Sequence, residues 1–231
     1  MSPPKSLPST LYVIYRAPSN FPPPTPSQPA SPICKMMIPE CQDTQTAVFC
    51  DTAAKCQSAA AALEASPVLV LDCEGHNLGV SGGRLSIILL RGVTADSRTY
   101  IIDVSQLSIT ALRPILDLLC SPTIRKVVFD GRMDFSALYH ELGVELQNIL
   151  DLQLVEIMSR FARGEGRETQ WKRLRSCLKT DELQSRPQLY AQVHRLNSLD
   201  GCIAEHAVIR RKVGKPIKVK GEFWSRPQTR I

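Results

Sequence analysis

Two carboxylates one residue apart, Asp72 and Glu74, close a short apolar run in Leu71-Asp72-Cys73-Glu74-Gly75. In a strand, the two-residue pleat sends both acids to one face and Cys73 to the other. Unpaired, such neighbours repel and one of them protonates more readily; a divalent cation removes that penalty and turns the pair into a hard oxygen site for Mg²⁺ or Mn²⁺. The pattern by itself is equally that of two solvated acids beside a glycine turn. A second candidate is Asp134 in Phe-Asp-Gly-Arg-Met-Asp-Phe-Ser-Ala-Leu, residues 129–138. An Asp at the start of a helix most often serves as a cap. Here it also follows a strand expected beside the first, within reach of an ion held by Asp72 and Glu74. Asp130 competes with it for that role.

The elements that must position these acids are legible in the hydrophobic patterning. Asp51 to Ala65 is alanine-rich with an Asp at its head, the composition of a capped helix, and Pro67 stops it. Val68–Asp72, Arg84–Arg91 and Arg98–Val104 are β-branched and leucine runs separated by turn residues, so they predict three consecutive antiparallel strands. A helix is expected from Thr110, acting as cap, to Leu119, with Pro114 in its first turn. A fourth strand over Ile124–Phe129 and a helix over Met133–Leu142, closed by Gly143, follow. Helices are also expected over 151–161 and 187–212. A meander followed by a helical crossover predicts an α/β fold, a mixed sheet of three antiparallel strands then a parallel one, flanked by helices.

Composition narrows the setting of the 231 residues. With 43% hydrophobic and 22% charged side chains the chain is ordinary globular material. No apolar run approaches the ~18 residues of a membrane span, so no membrane partner is expected. Eight cysteines without a CxxC pair point to reduced thiols in an intracellular protein rather than to zinc or disulfides. A nuclear or cytoplasmic site is expected, with mitochondrial import left open by a leader that has no acid before Glu40. That leader, residues 1–45, holds 10 of the 17 prolines within its first 32 positions and is expected to be disordered. The net charge of +6 is uneven: residues 1–159 carry −4 and residues 160–231 carry +10. Arg210, Arg211, Lys212, Lys215, Lys218 and Lys220, followed by Phe223 and Trp224, fit a tract that follows a nucleic-acid backbone and stacks bases; a solvated linker is the equal alternative.

LDCEG, the strand at Arg84–Leu90, VVFDGRMDFSALYHELGV and ILDLQLVEI together resemble the DEDD superfamily of 3'-5' exonucleases, closest to its ribonuclease D-like branch and its fungal exonuclease-domain proteins. The resemblance runs from about Phe49 to Pro227. It implies a ribonuclease H-like fold, an exonuclease domain over residues 46–227 with a tail at 228–231, and a two-metal mechanism with two Mg²⁺ or Mn²⁺ ions. It further implies that Asp72 bridges both ions, that Glu74 helps hold the ion of the attacking water, and that Asp134 serves the second ion. Single-stranded RNA or DNA is the implied partner. Family members have Asn more often at the place of Asp130 and an aromatic residue at that of Met133. A fourth Asp, in a Tyr-Ala-x-x-x-Asp-like helix after a Trp-x-x-Arg-Pro stretch, has no counterpart: Trp224-Ser225-Arg226-Pro227 is present, and four residues later the sequence stops. No YxxxD follows Asp151, His194 and Asp200 are one residue too far apart for HxxxxD, and Asp200 and Glu205 read as solvated helix acids. The expectation is a domain truncated before its last motif, weakly active or inactive, with apolar surface that a protein partner could cover. The alternative is a catalytically deficient nucleic-acid-binding or docking module.

Overall fold

A computed structural model describes residues 15–16, 47–94 and 98–206. In chain order the elements are β1 (Tyr15–Arg16), β2 (Ala47–Cys50), α1 (Ala53–Glu64), β3 (Val68–His76), β4 (Arg84–Gly92), β5 (Thr99–Asp103), α2 (Ile109–Cys120), β6 (Arg125–Val128), α3 (Arg132–Leu142), β7 (Ile149–Asp151), α4 (Leu152–Ala162), α5 (Arg167–Leu174), α6 (Thr180–Ser185), β8 (Val193–His194) and α7 (Leu199–His206). Two compact units result, one over residues 47–152 and one over 153–205 with the Tyr15–Arg16 pair. Among the described residues no helix is long and apolar enough to cross a membrane.

The first unit is built on a six-stranded sheet of order β2-β5-β4-β3-β6-β7. Strands β3, β4 and β5 form the antiparallel meander, β6 runs parallel to β3, and β7 parallel to β6. This is the ribonuclease H-like arrangement, with β2 added in parallel at the β5 edge. Alternation along β3 buries Leu69, Leu71 and Cys73 and leaves Val70, Asp72 and Glu74 on the other face. Ile88 and Leu90 of β4 and Ile102 of β5 share the core with Ala59 and Leu63 of α1 and Leu112, Ile115 and Leu119 of α2. Small side chains on α1 let it approach α2 closely, and apolar burial of this extent is the main favourable term in the unit's stability. Lys126, fully buried in β6, donates from Nζ to Ser121 O (2.5 Å) and Ile124 O (2.8 Å), satisfying the turn that leads into the strand.

Local details differ from the expectations. Thr52, not Asp51, caps α1 by accepting the Lys55 N–H, while Asp51 pairs with the Lys55 ammonium at 2.7 Å. Ser108 rather than Thr110 caps α2. The helix therefore starts at Ile109, and Pro114 lies beyond its first turn, where the missing N–H costs one intrahelical bond. Residue 151 ends β7 instead of opening a helix, and α4 begins at Leu152. The short strands β2 and β7 had no clear alternation to reveal them.

The long helix expected over 187–212 is not formed in its described part. Residues 187–192 run through tight turns, with Leu189 N–H donating to Arg186 O and Val193 N–H to Tyr190 O. Val193 and His194 then pair with Arg16 and Tyr15 in a two-stranded ribbon, and α7 starts only at Leu199. Asn197 and Ser198 explain the break. The Ser198 hydroxyl accepts the Gly201 N–H and its carbonyl the Cys202 N–H, so a cap sits inside what looked like one amphipathic period.

In the second unit Leu174, Leu183 and Val193 form a small core. Polar contacts carry more of its organisation. Arg160 and Glu156 form a buried ion pair on α4, and Arg160 also donates to Arg195 O at 2.8 Å. Glu205 is not a free solvated acid: it accepts from Arg163 (2.8 Å), Arg173 (2.7 Å) and Asn197 (2.9 Å). Those partners, Arg173 foremost, lower its pKa from 4.5 to about 2. The folded value lies below the unfolded one, so the stability Glu205 adds is complete above pH 4.5 and fades as the pH falls toward about 2. Glu205→Gln is expected to flatten the acid limb of stability in that window, as read by denaturant midpoints between pH 5 and 2. A wild-type limb in the variant would remove this role.

Candidate active site

Strand β3 runs on past the end of β6, whose pairing with it stops at Val70 opposite Val127. Beyond that point the free edge of β3 still needs hydrogen-bond partners. Asp134, in the first turn of α3, supplies one: its Oδ1 accepts the Cys73 N–H at 2.7 Å. A side chain 61 residues away is thereby seated on the backbone between Asp72 and Glu74. Asp134 is buried at 7% exposure, whereas Asp72 and Glu74 stand on the exposed face of β3.

The electrostatics follow from that seating. Burial pushes the Asp134 carboxyl above the usual carboxylate range, with the charge of Asp72 adding to the shift and the N–H groups opposing it. Glu74 is raised by burial, then by Asp72 and Asp134. Asp72 is raised by burial, partly offset by the Cys73 N–H. The Cys73 thiol, buried behind the acids, is pushed up strongly by burial and by Asp134, so it stays a neutral core group. Carboxyls raised by burial, and in Glu74 and Asp134 also by a neighbouring acid, are the kind of group a cation would relieve.

Asp130 has a different task. Its backbone is left-handed, at φ 57°, and its carboxylate is forked by Arg132 at 2.5 and 2.9 Å. Behind it the Asp151 carboxylate accepts the N–H groups of Asp130 (3.0 Å) and Gly131 (3.2 Å), tying the end of β7 to the turn that launches α3. Asp151 thus helps aim Asp134. Sequence reading missed it; the signal was an acid ending the Ile149-Leu150 run.

Glycines let the β3–β4 connection close around the site. The β3–β4 register shifts between Glu74 and Gly75, and a Cβ on Gly75 would stand 2.1 Å from Arg84 O. A Cβ on Gly79, whose φ is +71°, would stand 2.5 Å from Met133 O, and the Ser136 hydroxyl donates to Gly79 O at 2.7 Å. Gly75→Ala is expected to destabilise the first unit by about 1–3 kcal/mol through overpacking against backbone. Chemical denaturation measures it, and a midpoint equal to wild type would show that the strand pair yields freely.

In donor chemistry the acids fit a hard divalent cation: all are carboxylates, and each is raised in pKa. They are not a preformed cage, since among the described residues no three His, Cys, Asp or Glu side chains stand together closely enough to hold an ion. Arg210, Arg211, Lys212, Lys215, Lys218, Lys220 and Trp224, the expected nucleic-acid tract, lie outside the described residues.

A mixed sheet of this order, with an acid pair on its central strand and a third acid delivered by the helix after the parallel neighbour, defines a ribonuclease H-like domain. The 3'-5' exonuclease family matches the chain over residues 47–197, well over half its length. The chain belongs to the 3'-5' exonuclease family, a class of nucleic-acid hydrolases. Among solved structures it is similar to RNase D of Trypanosoma brucei in complex with GMP, at 28% identity and a TM-score of 0.43, covering 47% of this chain and 34% of that one. The same enzyme in complex with RNA U12 matches at 19% identity and a TM-score of 0.43, covering 67% and 64%. The Nibbler EXO domain of Aedes aegypti matches at 22% identity and a TM-score of 0.44, covering 52% and 59%. The chain spans less than two thirds of the length of each. No curated protein matches it.

Proposed function

We propose that the chain hydrolyses phosphodiester bonds at the 3' ends of single-stranded nucleic acid, with Asp72, Glu74 and Asp134 as the acids of a two-metal site. The observation that supports this most is the Asp134 carboxylate held on the Cys73 N–H between the other two acids, with Glu74 raised by both. Bound Mg²⁺ or Mn²⁺ would supply an activated water and charge neutralisation at the leaving oxygen. Asp72 and Glu74 present their oxygens from one face of a rigid central strand. Asp134, buried and hydrogen-bonded, keeps its position as α3 packs. In the net reaction a water oxygen joins phosphorus, the bond to the 3' oxygen breaks, that oxygen takes up a proton, and a nucleoside 5'-monophosphate leaves.

Turnover by these 231 residues is proposed to be weak. The family resemblance calls for a fourth acid, and the sequence offers no YxxxD after Asp151. Among the described alternatives, Glu205 is occupied by Arg163, Arg173 and Asn197. A second reading is a nucleic-acid-binding or docking module without hydrolysis.

Strands labelled at the 3' or the 5' end, incubated with the chain in Mn²⁺ or in chelator, separate the readings. Slow, Mn²⁺-dependent release of mononucleotide from the 3' end, absent in Asp134→Asn, is expected for RNA or DNA. Release that persists in chelator, or begins at the 5' end, would overturn the exonuclease reading. Tight binding without any release would establish the second one.

A further inference from the structure

Helix α3 reaches strand backbone through two carboxylates. Asp134 in its first turn accepts the Cys73 N–H of β3, and Glu141 in its last turn accepts the Leu85 N–H of β4, at 2.8 Å to one oxygen and 3.0 Å to the other. The two acids are seven residues apart, so they share one stripe of the helix, with Ala137 and Leu138 buried between them. Helix preference does not account for Glu141, because a negative charge in the last turn opposes the helix dipole. Leu85 does account for it. That residue sits opposite Gly75, just past the shift in β3–β4 register, and two residues before β4 begins to pair with β5 at Ile87. Its N–H lies outside the β4–β5 ladder and takes a side chain as partner instead.

We infer that Glu141 is a positioning residue for the candidate site: its bond to β4 fixes the roll of α3 that keeps Asp134 on the Cys73 N–H. This rests on the exonuclease reading for the ion that Asp134 would hold. A roll of α3 about its axis carries Asp134 and Glu141 off their partners together, so each bond holds the other in place. The remaining anchors of the helix do not set its roll against the sheet. Asp151 grips the backbone of Asp130 and Gly131, ahead of the first helical residue. Ser136 bonds Gly79, which belongs to the connection between β3 and β4 and to neither strand. Leu85 is in the sheet, with its residue 1% exposed, and gives the far end of α3 a fixed point.

The test begins with the full chain free of metal, where the Cys73 amide reports directly on the seat of Asp134. In Glu141→Ala that amide is expected to exchange with solvent at least about 10-fold faster, while the amides of Ile88 and Leu90 in the middle of β4 keep their wild-type rates. Glu141→Gln retains an acceptor oxygen and should restore Cys73 protection. Mn²⁺ affinity, measured by calorimetry, should fall about 10- to 100-fold in Glu141→Ala and recover in Glu141→Gln, the range for a residue that orients a metal ligand. An unchanged Cys73 rate in Glu141→Ala would overturn the inference. So would equal acceleration at Cys73, Ile88 and Leu90, which marks general loosening, or a Glu141→Gln variant that behaves like Glu141→Ala. Faster Cys73 exchange with wild-type Mn²⁺ affinity would also overturn it, by detaching the seat of Asp134 from the ion. If the wild-type chain binds no Mn²⁺ while the Cys73 amide responds as expected, the two-metal reading fails and the hold of Glu141 on Asp134 stands.

Discussion

Asp72→Asn is expected to weaken Mn²⁺ binding by at least about 100-fold and to remove whatever hydrolysis the chain performs. Loss of a group that merely orients a metal ligand typically costs about 10- to 100-fold, and Asp72 is proposed as a ligand in its own right. The substitution is isosteric and its site faces outward from β3, so the fold should survive it. The neighbours should report the loss too. With Asp72 neutral, Glu74 and Asp134 lose a repelling charge, and both carboxyls should titrate closer to their ordinary values. Mn²⁺ binding followed by calorimetry, together with carboxyl chemical shifts against pH, measures both effects. Unaltered Mn²⁺ affinity would place any ion elsewhere and detach Asp72 from the chemistry.

The largest stability effect is expected at Glu156. Its carboxylate pairs with Arg160 one turn along α4, and both side chains are 3% exposed. Glu156→Ala leaves a buried guanidinium without its counter-charge, a change that typically costs about 3–5 kcal/mol. The residual bond from Arg160 to Arg195 O does not neutralise that charge. A double replacement, Glu156→Leu with Arg160→Met, removes both charges and keeps apolar volume, so it should cost far less than the single one. Hydrogen exchange resolves where the loss falls: faster exchange over residues 153–205 with the sheet of residues 47–152 unaffected is expected. A Glu156→Ala variant as stable as wild type would mean that water reaches Arg160 and that the pair contributes nothing.

Sequence and tertiary structure divide the account of the site between them. Asp72 and Glu74 were readable as a same-face pair because the strand period of two is local and needs no partner to be known. The meander was readable for the same reason: Leu69, Leu71 and Cys73 alternate with polar or exposed positions, and Gly82-Gly83 marks the turn. Local signals failed where two of them overlapped. The run from Leu189 to Ile209 has a helical apolar period, yet Asn197 and Ser198 cap a helix in its middle, and Val193 and His194 take a strand partner from residues 15–16. Spacing alone did not choose between Asp130 and Asp134, since both follow the same strand; only the family resemblance singled out Asp134. In the fold Asp130 pairs with Arg132, and Asp134 is lowered onto the Cys73 N–H. Asp151 was invisible for the same reason: its partners are the backbone N–H groups of Asp130 and Gly131, and every residue but proline offers one. Side-chain type and short-range spacing say which groups could do chemistry, but which of them meet depends on backbone edges left unpaired when strands of unequal length are laid side by side.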